Sequence, residues 1–369
     1  MNQSNLSRRS VLKGAGAMSA AAILSAYPGA RLIRAQGNAE YDLIDFGPFE
    51  VRVTSGQQLG PGAVLGINDA GMVCGMIGVA EDRGSPATWS TSGKLKRLKS
   101  GKLGGRALDI NDDGVVVGQE FESIDKPGDH RPVVWRDGEP EELPNLDGDT
   151  SGARGSASCI NNDGVIAGYV QDGDFSQAVR WIDGVAEALP DAPAGSALQV
   201  RGLNENGTIL ASIRTGESGL VRTFGLWRDD EVTLIEFPEE VTEEYIVLPQ
   251  ALNGRDETLF ISYNGFDDSF SFITDGETTT VLDGRDDGFT SIAADLNDAS
   301  TVVGQTYKDE ASRAARWNEG ELVDLNNLIS AGAGLTLTSA SAINNAGLIA
   351  GMATDEDDTP HGYLLIPAS

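Results

Sequence analysis

The sequence predicts an all-β fold, a seven-bladed β-propeller with four-stranded blades, and three observations support this prediction. An asparagine turn of the form Ile/Leu-Asn-x-x-Gly-x-Val/Ile-x-Gly, or a weaker copy of it, recurs along the 369-residue chain. The five tryptophans follow the same period. The final repeat ends one strand short, and a segment near the beginning of the chain matches the missing strand. Four short strands in a repeat of about 46 residues are the signature of a propeller blade.

The first 35 residues are predicted to be an export leader, removed or disordered, followed by a single propeller domain over residues 36–369. A run of small and apolar residues covers positions 14–27. As a helix this run would rise about 21 Å, short of the roughly 30 Å bilayer core. The run therefore indicates a cleavable signal segment, and the mature form is expected to have no membrane span.

A pair of arginines, Arg8 and Arg9, lies just before this run in the string Ser-Arg-Arg-Ser-Val-Leu-Lys. The string resembles the twin-arginine export signal, except that Val11 stands where that family usually has Phe. The resemblance implies that the translocase recognises Arg8 and Arg9 and that the protein is exported folded, to the periplasm or the medium. Cleavage is expected after Ala35. The alternative is a chance arginine pair on an uncleaved cytoplasmic tail.

Seven asparagine turns divide the chain into seven units. The turn residues are Asn68, Asn111, Asn161, Asn204, Asn253, Asn297 and Asn344. In such a turn the asparagine side chain binds nearby backbone and a glycine accepts a positive φ. Weaker copies begin at Leu203, Leu252 and Leu296, and the fifth unit departs most because no glycine follows three residues after Asn253.

The second unit illustrates the four predicted strands of a blade. They cover residues 106–110, 115–117 and 132–135, with a more polar fourth strand beginning at Glu141. The second strand is made of three valines, as expected for a buried strand. Asp137-Gly138 is a two-residue hairpin signal between the last two strands. Because no unit contains a helix-length periodic segment, the pattern favours an all-β blade.

The tryptophans occupy one position of the predicted third strand. They are Trp89, Trp135, Trp181, Trp227 and Trp317. The first four are 46 residues apart and the last gap is about two periods, so one slot is skipped, at Ile273. We predict that these side chains pack between neighbouring blades, because a large aromatic in mid-blade is best buried. An exposed ring of sugar-stacking aromatics is the alternative.

The two ends of the chain are predicted to share one blade. The last unit has strand segments at residues 339–343, 348–352 and 362–366, and no fourth strand follows. Residues 41–46 match fourth strands such as residues 321–325. We expect this N-terminal strand to complete the last blade, which removes an open sheet edge and closes the ring.

The repeat resembles the HAF family of extracellular repeats over residues 41–366. The resemblance rests on the asparagine turn, an apolar run ending in Trp, and a Gly-x-Leu-x-x-Leu strand, as in residues 313–325. Residues 361–364 approach the His-Ala-Phe string that names the family, although most units lack the histidine. The resemblance implies an extracytoplasmic repeat protein and carries no catalytic residues.

The composition is strongly acidic, with 56 acids against 27 bases and a formal charge of −29. Such a surface repels nucleic acid and anionic membranes, so neither is expected as a partner. A solvated surface suited to an acidic or salty habitat is the simpler interpretation. A site for cations or basic partners is the alternative.

Residue types that carry chemistry are sparse. Cys74 and Cys159 lie at different phases of non-adjacent repeats, which predicts two buried thiols and neither a disulfide nor a zinc site. His130 and His361 both fall near third-strand starts and are far apart in sequence. No catalytic, cofactor-binding or metal residues are therefore predicted.

Weak ligand-binding candidates lie on the predicted first strands, which surround the central channel. Asp109 and Asp295 stand two positions before their turn asparagines, and Arg201 stands three positions before its own. We expect these three side chains to line the channel. The alternative is that they are isolated polar groups in channel water.

Charged clusters mark two further places. The loops between second and third strands are acidic and should share one face of the ring: Glu120, Glu122, Asp125, Asp129, Asp172, Asp174, Asp267, Asp268, Asp355, Glu356, Asp357 and Asp358. Calcium binding there is the one cofactor alternative left open, although no loop has EF-hand spacing. A basic patch consists of Lys94, Lys96, Arg97, Lys99 and Lys102. We interpret it as protection of the outer edge strand of the first blade.

The functional prediction is a non-enzymatic, extracytoplasmic binding module, monomeric, whose partner is an unknown extracellular ligand or protein. The alternative is a propeller enzyme, a glycoside- or ester-directed hydrolase or lyase, with its site at the central channel. Three or more polar side chains converging at the channel mouth would favour the enzyme. A bland channel would favour the binding module.

Overall fold

The computed structural model describes residues 30–49, 64–79, 83–101, 103–121, 130–172, 175–189, 198–214, 221–229, 231–237, 241, 245–264, 269–282, 284, 290–308 and 311–368. These residues form seven antiparallel sheets arranged in a ring, a seven-bladed β-propeller as predicted. The first strand of each blade contacts the first strands of its two neighbours, and the seventh contacts the first, so these strands surround a central channel.

The strands run in chain order as follows. The chain begins with β1 (Arg31–Ile33) and β2 (Tyr41–Pro48). Blade one is β3 (Val64–Ile67), β4 (Val73–Val79), β5 (Arg83–Trp89) and β6 (Leu95–Arg97). Blade two is β7 (Gly105–Ile110), β8 (Val116–Phe121), β9 (His130–Arg136) and β10 (Glu139–Glu142). Blade three is β11 (Gly155–Ile160), β12 (Ile166–Asp172), β13 (Phe175–Ile182) and β14 (Val185–Ala188).

The remaining blades repeat this order. Blade four is β15 (Leu198–Leu203), β16 (Ile209–Arg214), β17 (Val221–Arg228) and β18 (Glu231–Leu234). Blade five is β19 (Ile246–Leu252), β20 (Thr258–Tyr263), β21 (Ser269–Thr274) and β22 (Thr279–Val281). Blade six is β23 (Thr290–Leu296), β24 (Val302–Lys308), β25 (Ala311–Asn318) and β26 (Glu321–Asp324), followed by a 3₁₀ turn (Leu325–Leu328). Blade seven is β27 (Thr336–Ile343), β28 (Ile349–Thr354) and β29 (Pro360–Pro367), completed by β2 and β1.

The strand direction defines two faces of the ring. Second strands end, and first and third strands begin, on one side of the ring, the upper face. The asparagine turns and the hairpins between third and fourth strands lie on the other, the lower face. Across the part of the chain given above, no helix has the length and apolar character needed to span a bilayer.

The asparagine turns have the predicted chemistry. In blade two the side-chain oxygen of Asn111 accepts a hydrogen bond of 3.0 Å from the Val115 amide, and Gly114 has a φ of 75°. The weaker copies keep this backbone with other residues, because Asp256 and Ser300 have φ values of 63° and 55°. These two residues adopt a conformation that normally favours glycine.

Each interface between neighbouring blades holds one hydrophobic cluster, and the tryptophans are central to five of them. Trp89, Trp135, Trp181, Trp227 and Trp317 are each exposed by 1% or less. Trp181 of blade three, for example, packs on Val117 and Val134 of blade two. The predicted core position is therefore confirmed, and the alternative of exposed sugar-stacking rings is wrong.

The tryptophan slot of blade five is Thr274, not Ile273 as predicted. Thr258 pairs with Thr274 in the register that joins Val302 to Trp317 in blade six. The prediction was one residue off because a constant period was assumed although the loops differ in length. Phenylalanines fill the interface between blades four and five instead: Phe224, Phe260, Phe270 and Phe272.

The N-terminal strand closes the ring as predicted. β2 pairs with β29, with Tyr41 opposite Pro367 at one end and Pro48 opposite His361 at the other. Arg316 of blade six also donates a hydrogen bond of 2.8 Å to the Tyr41 hydroxyl. The closing strand is thus held by the last blade and by the blade before it.

A fifth strand extends blade seven beyond the predicted four. β1 pairs antiparallel with β2, with Arg31 opposite Asp45 and Ile33 opposite Leu43. These residues belong to the segment predicted to be the leader, yet here they form the outer edge of the sheet. Of that leader, Arg8 and Arg9 lie outside the described residues.

Candidate functional site

The central channel is bordered by a β-bulge on the first strand of every blade. The bulged residues are Leu65, Leu108, Ser158, Arg201, Gln250, Ala294 and Ser341. A bulge frees one residue from the ladder and re-aims its side chain. In blade four the freed residue is Arg201, whose side chain is exposed.

The three predicted channel residues lie around one common space. The charges of Asp109, Arg201 and Asp295, from blades two, four and six, all act on the thiol of Cys159 in blade three. Burial is the largest cause and, with the two carboxylates, raises the pKa of that thiol far above its ordinary value. The charges of these three residues therefore all reach one thiol beside the channel, although the residues come from distant parts of the chain.

The two channel carboxylates attach neighbouring blades to each other. Asp109 accepts hydrogen bonds from the amides of Ile110, 2.8 Å, and of Ile160 in blade three, 2.9 Å. Asp295 makes the same two contacts, to Leu296 and to Ile343 in blade seven, at 2.9 Å each. Burial raises the pKa of Asp109 to about 6 and that of Asp295 to about 7, and the amide hydrogen bonds oppose the rise. Their primary role in this geometry is structural.

The turn asparagines form a closed ring of hydrogen bonds at the lower end of the channel. Each side-chain amide donates to the backbone carbonyl of the asparagine in the next blade, and Asn344 donates to Asn68 at 2.9 Å to complete the circle. The donor-to-acceptor distances lie between 2.9 and 3.4 Å. The residue that defines the repeat in the sequence is therefore the one that joins the blades.

The residue after each asparagine frames the lower mouth of the channel. These residues are Asp69, Asp112, Asn162, Glu205, Gly254, Asp298 and Asn345. Six of the seven side chains accept a hydrogen bond from a backbone amide of the preceding blade, as Asp112 does from Asp69 at 2.9 Å. Gly254 has no side chain and interrupts the circle. The mouth encloses about 180 Å³.

A second polar group lies towards the upper face and includes side chains of blades two, three and four. Nε2 of His130, at the start of β9, and the hydroxyl of Tyr169, on β12, share a hydrogen bond of 2.7 Å. Burial raises the pKa of Tyr169, and the guanidinium of Arg201 in blade four opposes this rise. Arg201 itself donates to the side chain of Gln199 at 2.9 Å. We call His130, Tyr169 and Arg201 the upper-mouth cluster.

Sequence reasoning found one member of this cluster and missed the other two. Arg201 is a predicted channel residue because it stands near a turn asparagine on a first strand. His130 is predicted only to lie near a third-strand start, and no role is predicted for Tyr169. The hydrogen bond joins the third strand of one blade to the second strand of the next, a contact that no single repeat contains. The available signal is an aromatic hydroxyl at a slot that holds methionine, glutamine, serine or isoleucine in the other blades.

Calcium binding by the acidic loops stays a prediction. Glu122, Asp125, Asp129, Asp174, Asp267 and Asp268 lie outside the described residues. Glu120 is buried and forms an ion pair of 3.0 Å with Arg131. Asp355 accepts amide hydrogen bonds from Asp357 and Thr359 within its own turn. Within the described part of the chain, no cluster of three or more His, Cys, Asp or Glu side chains could hold a metal ion.

The cysteines and the basic patch agree with the sequence predictions except in one respect. Cys74 and Cys159 are both free thiols, and Cys74 is buried. Cys159 is partly rather than fully buried, because it lies on a first strand beside the channel. Lys96 lies on the outer strand of blade one and donates to the Asp137 carbonyl at 3.0 Å. Lys102 lies outside the described residues.

Comparison with known proteins supports the fold and identifies no family for this chain. No protein-family model and no curated protein matches this chain, so the HAF resemblance stays a prediction. Among solved structures, the polysaccharide lyase Uly1 is 8% identical with a TM-score of 0.53, covering 92% of this chain and 99% of that one. A PL25 ulvan lyase bound to a GlcA-Rha3S saccharide is 12% identical with a TM-score of 0.46, covering 91% and 96%. The six-bladed lectin of Aleuria aurantia is 10% identical with a TM-score of 0.37, covering 83% and 96%.

Proposed function

We propose that this chain is an exported β-propeller that binds an acidic glycan at the upper mouth of its channel. The single observation that supports this is the upper-mouth cluster, in which His130, Tyr169 and Arg201 converge from three consecutive blades. A concave channel mouth with a few convergent polar groups is the usual form of a ligand site.

The chemistry of the cluster favours a carboxylated or sulfated sugar. The planar guanidinium of Arg201 matches the two oxygens of a carboxylate or sulfate, and a tyrosine ring with its hydroxyl matches a sugar ring and its hydroxyls. Two other arginines lie at the upper ends of blades two and three, Arg106 and Arg154. In a chain with a net charge of −29 and with acidic loops on the same face, Arg201 is the group of the cluster that would pair with an anionic ligand.

Calorimetric titration with short oligosaccharides tests the proposal. Uronate-containing and sulfated oligomers should bind and neutral oligomers of equal length should not. Arg201→Ala should weaken binding by at least tenfold, the effect of losing one charged hydrogen bond of about 1.5–3 kcal/mol. Arg136→Ala is the matched control, since Arg136 is an exposed arginine at the lower end of blade two. Equal loss in both variants, or no binding of acidic oligomers by the unmodified protein, would refute the proposal.

The grouping of three polar side chains at the upper mouth meets the condition given above for an enzyme, so a propeller enzyme acting by β-elimination is the second candidate. The distance of 2.7 Å between His130 and Tyr169 favours it. Two such groups can take a proton from the carbon next to a uronate carboxylate and return one to the leaving glycosidic oxygen. The C–O bond then breaks and a C=C bond forms, while Arg201 balances the charge on the carboxylate. Ultraviolet absorbance of the unsaturated uronate measures this reaction. Tyr169→Phe should abolish the signal and retain binding, whereas binding without any bond cleavage by the unmodified protein decides for the binding module.

The site of action is proposed to lie outside the cytoplasm, through the twin-arginine signal at Arg8 and Arg9. Replacing both arginines with lysine keeps the charge and removes the recognised pair. The expected result is accumulation of the full-length chain in the cytoplasmic fraction, measured by immunoblot after fractionation. Unchanged export of the double variant would remove this part of the proposal.

A further inference from the structure

We propose that Arg31–Ile33 remains in the exported protein as a permanent fifth strand of blade seven, so the leader is cut before Arg31 and not after Ala35. The inference rests on the proposed twin-arginine export, in which folding precedes cleavage. It assigns a processing boundary and a structural role to residues that the export signal alone would place in the discarded leader.

The ion pair between Arg31 and Asp45 is the strongest support. Asp45 is 2% exposed, and Nε of Arg31 lies 2.9 Å from one of its carboxylate oxygens. The other oxygen shares a hydrogen bond of 2.8 Å with Nδ1 of His361 and accepts from the Gly47 amide. Removal of Arg31 would leave a buried carboxylate without its guanidinium, which is costly in a folded protein. Arg31 also donates to the Ala333 carbonyl at 2.8 Å.

The apolar side chains of the strand pack in two different cores. Leu32 lies against the cluster between blades seven and one, which contains Phe46 and Trp89. Ile33 lies against the cluster between blades six and seven. The strand therefore covers apolar surface at both interfaces of the closing blade.

Residues 34 and 35 are also attached to the ring. The Ser330 hydroxyl donates to the Arg34 carbonyl at 2.7 Å, and the Ala35 amide donates to the Asp42 carboxylate at 2.6 Å. A peptidase needs an extended and unpaired segment in its cleft, and such segments occur where backbone is exposed. In a protein that folds before export, the bonds between residues 31 and 36 are therefore protected, and cleavage must occur nearer the N-terminus.

N-terminal sequencing and the intact mass of the exported protein test the boundary. The expected chain begins at Arg31 or at an earlier residue. A chain that begins at Gln36 would overturn the inference. Failure of the export proposal itself gives a different result, because no shortened form would then appear outside the cytoplasm.

Two variants test the structural role in the exported protein. Arg31→Ala should lower its melting temperature, because the buried carboxylate of Asp45 loses its guanidinium partner. Arg34→Ala is the matched control and should change it little, since Arg34 is exposed and lies 3.9 Å from Asp42. Equal melting of both variants and the unmodified protein would overturn the inference, as expected if both positions are discarded before purification.

Discussion

At the residue scale, the repeat is defined by side chains that connect blades, and asparagine is the clearest case. Its position could be predicted from the sequence because it recurs at every turn. The hydrogen bond from Asn Nδ2 to the next blade could not be predicted in this way. The chemistry of a tight turn explains only the contact of the side-chain oxygen with its own turn. The ring of seven such bonds becomes visible only when the blades are placed side by side.

The asparagine ring leads to a prediction for Asn297. Its Nδ2 donates to the Asn344 carbonyl at 3.1 Å and its Oδ1 accepts from the Thr301 amide at 3.1 Å. Asn297→Ala leaves buried backbone groups without partners and should reduce the free energy of unfolding by about 1–3 kcal/mol. Urea denaturation measures this loss. Asn318→Ala, at an exposed third-strand end, is the control, and an equal loss there would contradict the assigned role.

The tryptophan slot leads to a second prediction. Trp181 is 1% exposed and its indole donates to the Pro144 carbonyl at 2.8 Å. Trp181→Ala should lower the free energy of unfolding by roughly 3–5 kcal/mol through lost burial and the cavity left behind. The neighbouring Ile182 is 37% exposed, so Ile182→Ala should cost much less. Comparable urea midpoints for the two variants would show that the slot is not a core position.

The channel carboxylates lead to a pH prediction. The pKa values of about 6 for Asp109 and about 7 for Asp295 lie above the unfolded value of roughly 3.9. Between those values the folded state binds more protons than the unfolded state, so these groups lower stability as pH rises from about 4 to about 7. Asp295→Asn should make the melting temperature less dependent on pH in this window. Asp298→Asn, an exposed acid of the same blade, is the control, and an Asp295 variant with the unmodified pH profile would contradict the prediction.

At the element scale, strand order and turn positions could be predicted from the sequence. The completion of blade seven by N-terminal strands could be predicted in part, for β2 and not for β1. The Asp-Gly hairpin at Asp137 and the shared blade are present, and the second strand of blade two begins at Val116 and continues to Phe121, beyond the predicted valines. Blade five shows the limit of periodicity, because Thr274 and a phenylalanine cluster replace the tryptophan there. β1 was not predicted as a strand, because an export leader and an edge strand can both be short apolar segments flanked by basic residues.

The closing strand leads to a prediction for the whole ring. Deletion of residues 36–50 removes β2, which pairs with β29 along its length and carries Leu43, exposed by 0%. The loss opens a sheet edge and exposes two blade interfaces, so the variant should melt at a lower temperature and associate through the free edge. Calorimetry with size-exclusion chromatography measures both effects. A truncated protein that melts and remains monomeric like the complete one would contradict the closure.

At the scale of the whole molecule, the seven blades of the ring are not equivalent. Its seven-fold symmetry is broken at the channel, where Arg201 replaces the uncharged residues of the other bulges. The charge of Arg201 acts on the Tyr169 hydroxyl, which is hydrogen-bonded to His130. Such a site is contributed by three repeats and has no signature within any one of them. The blade number and the closure could therefore be predicted from the sequence, whereas the binding cluster required the arrangement of blades in space.

The most direct test of this account is a crystal structure of the exported protein grown with a uronate oligosaccharide. We expect seven sheets around one axis, with β2 in the seventh and the saccharide carboxylate on Arg201 beside Tyr169. A different number of sheets, or a saccharide bound away from the upper mouth of the channel, would contradict it.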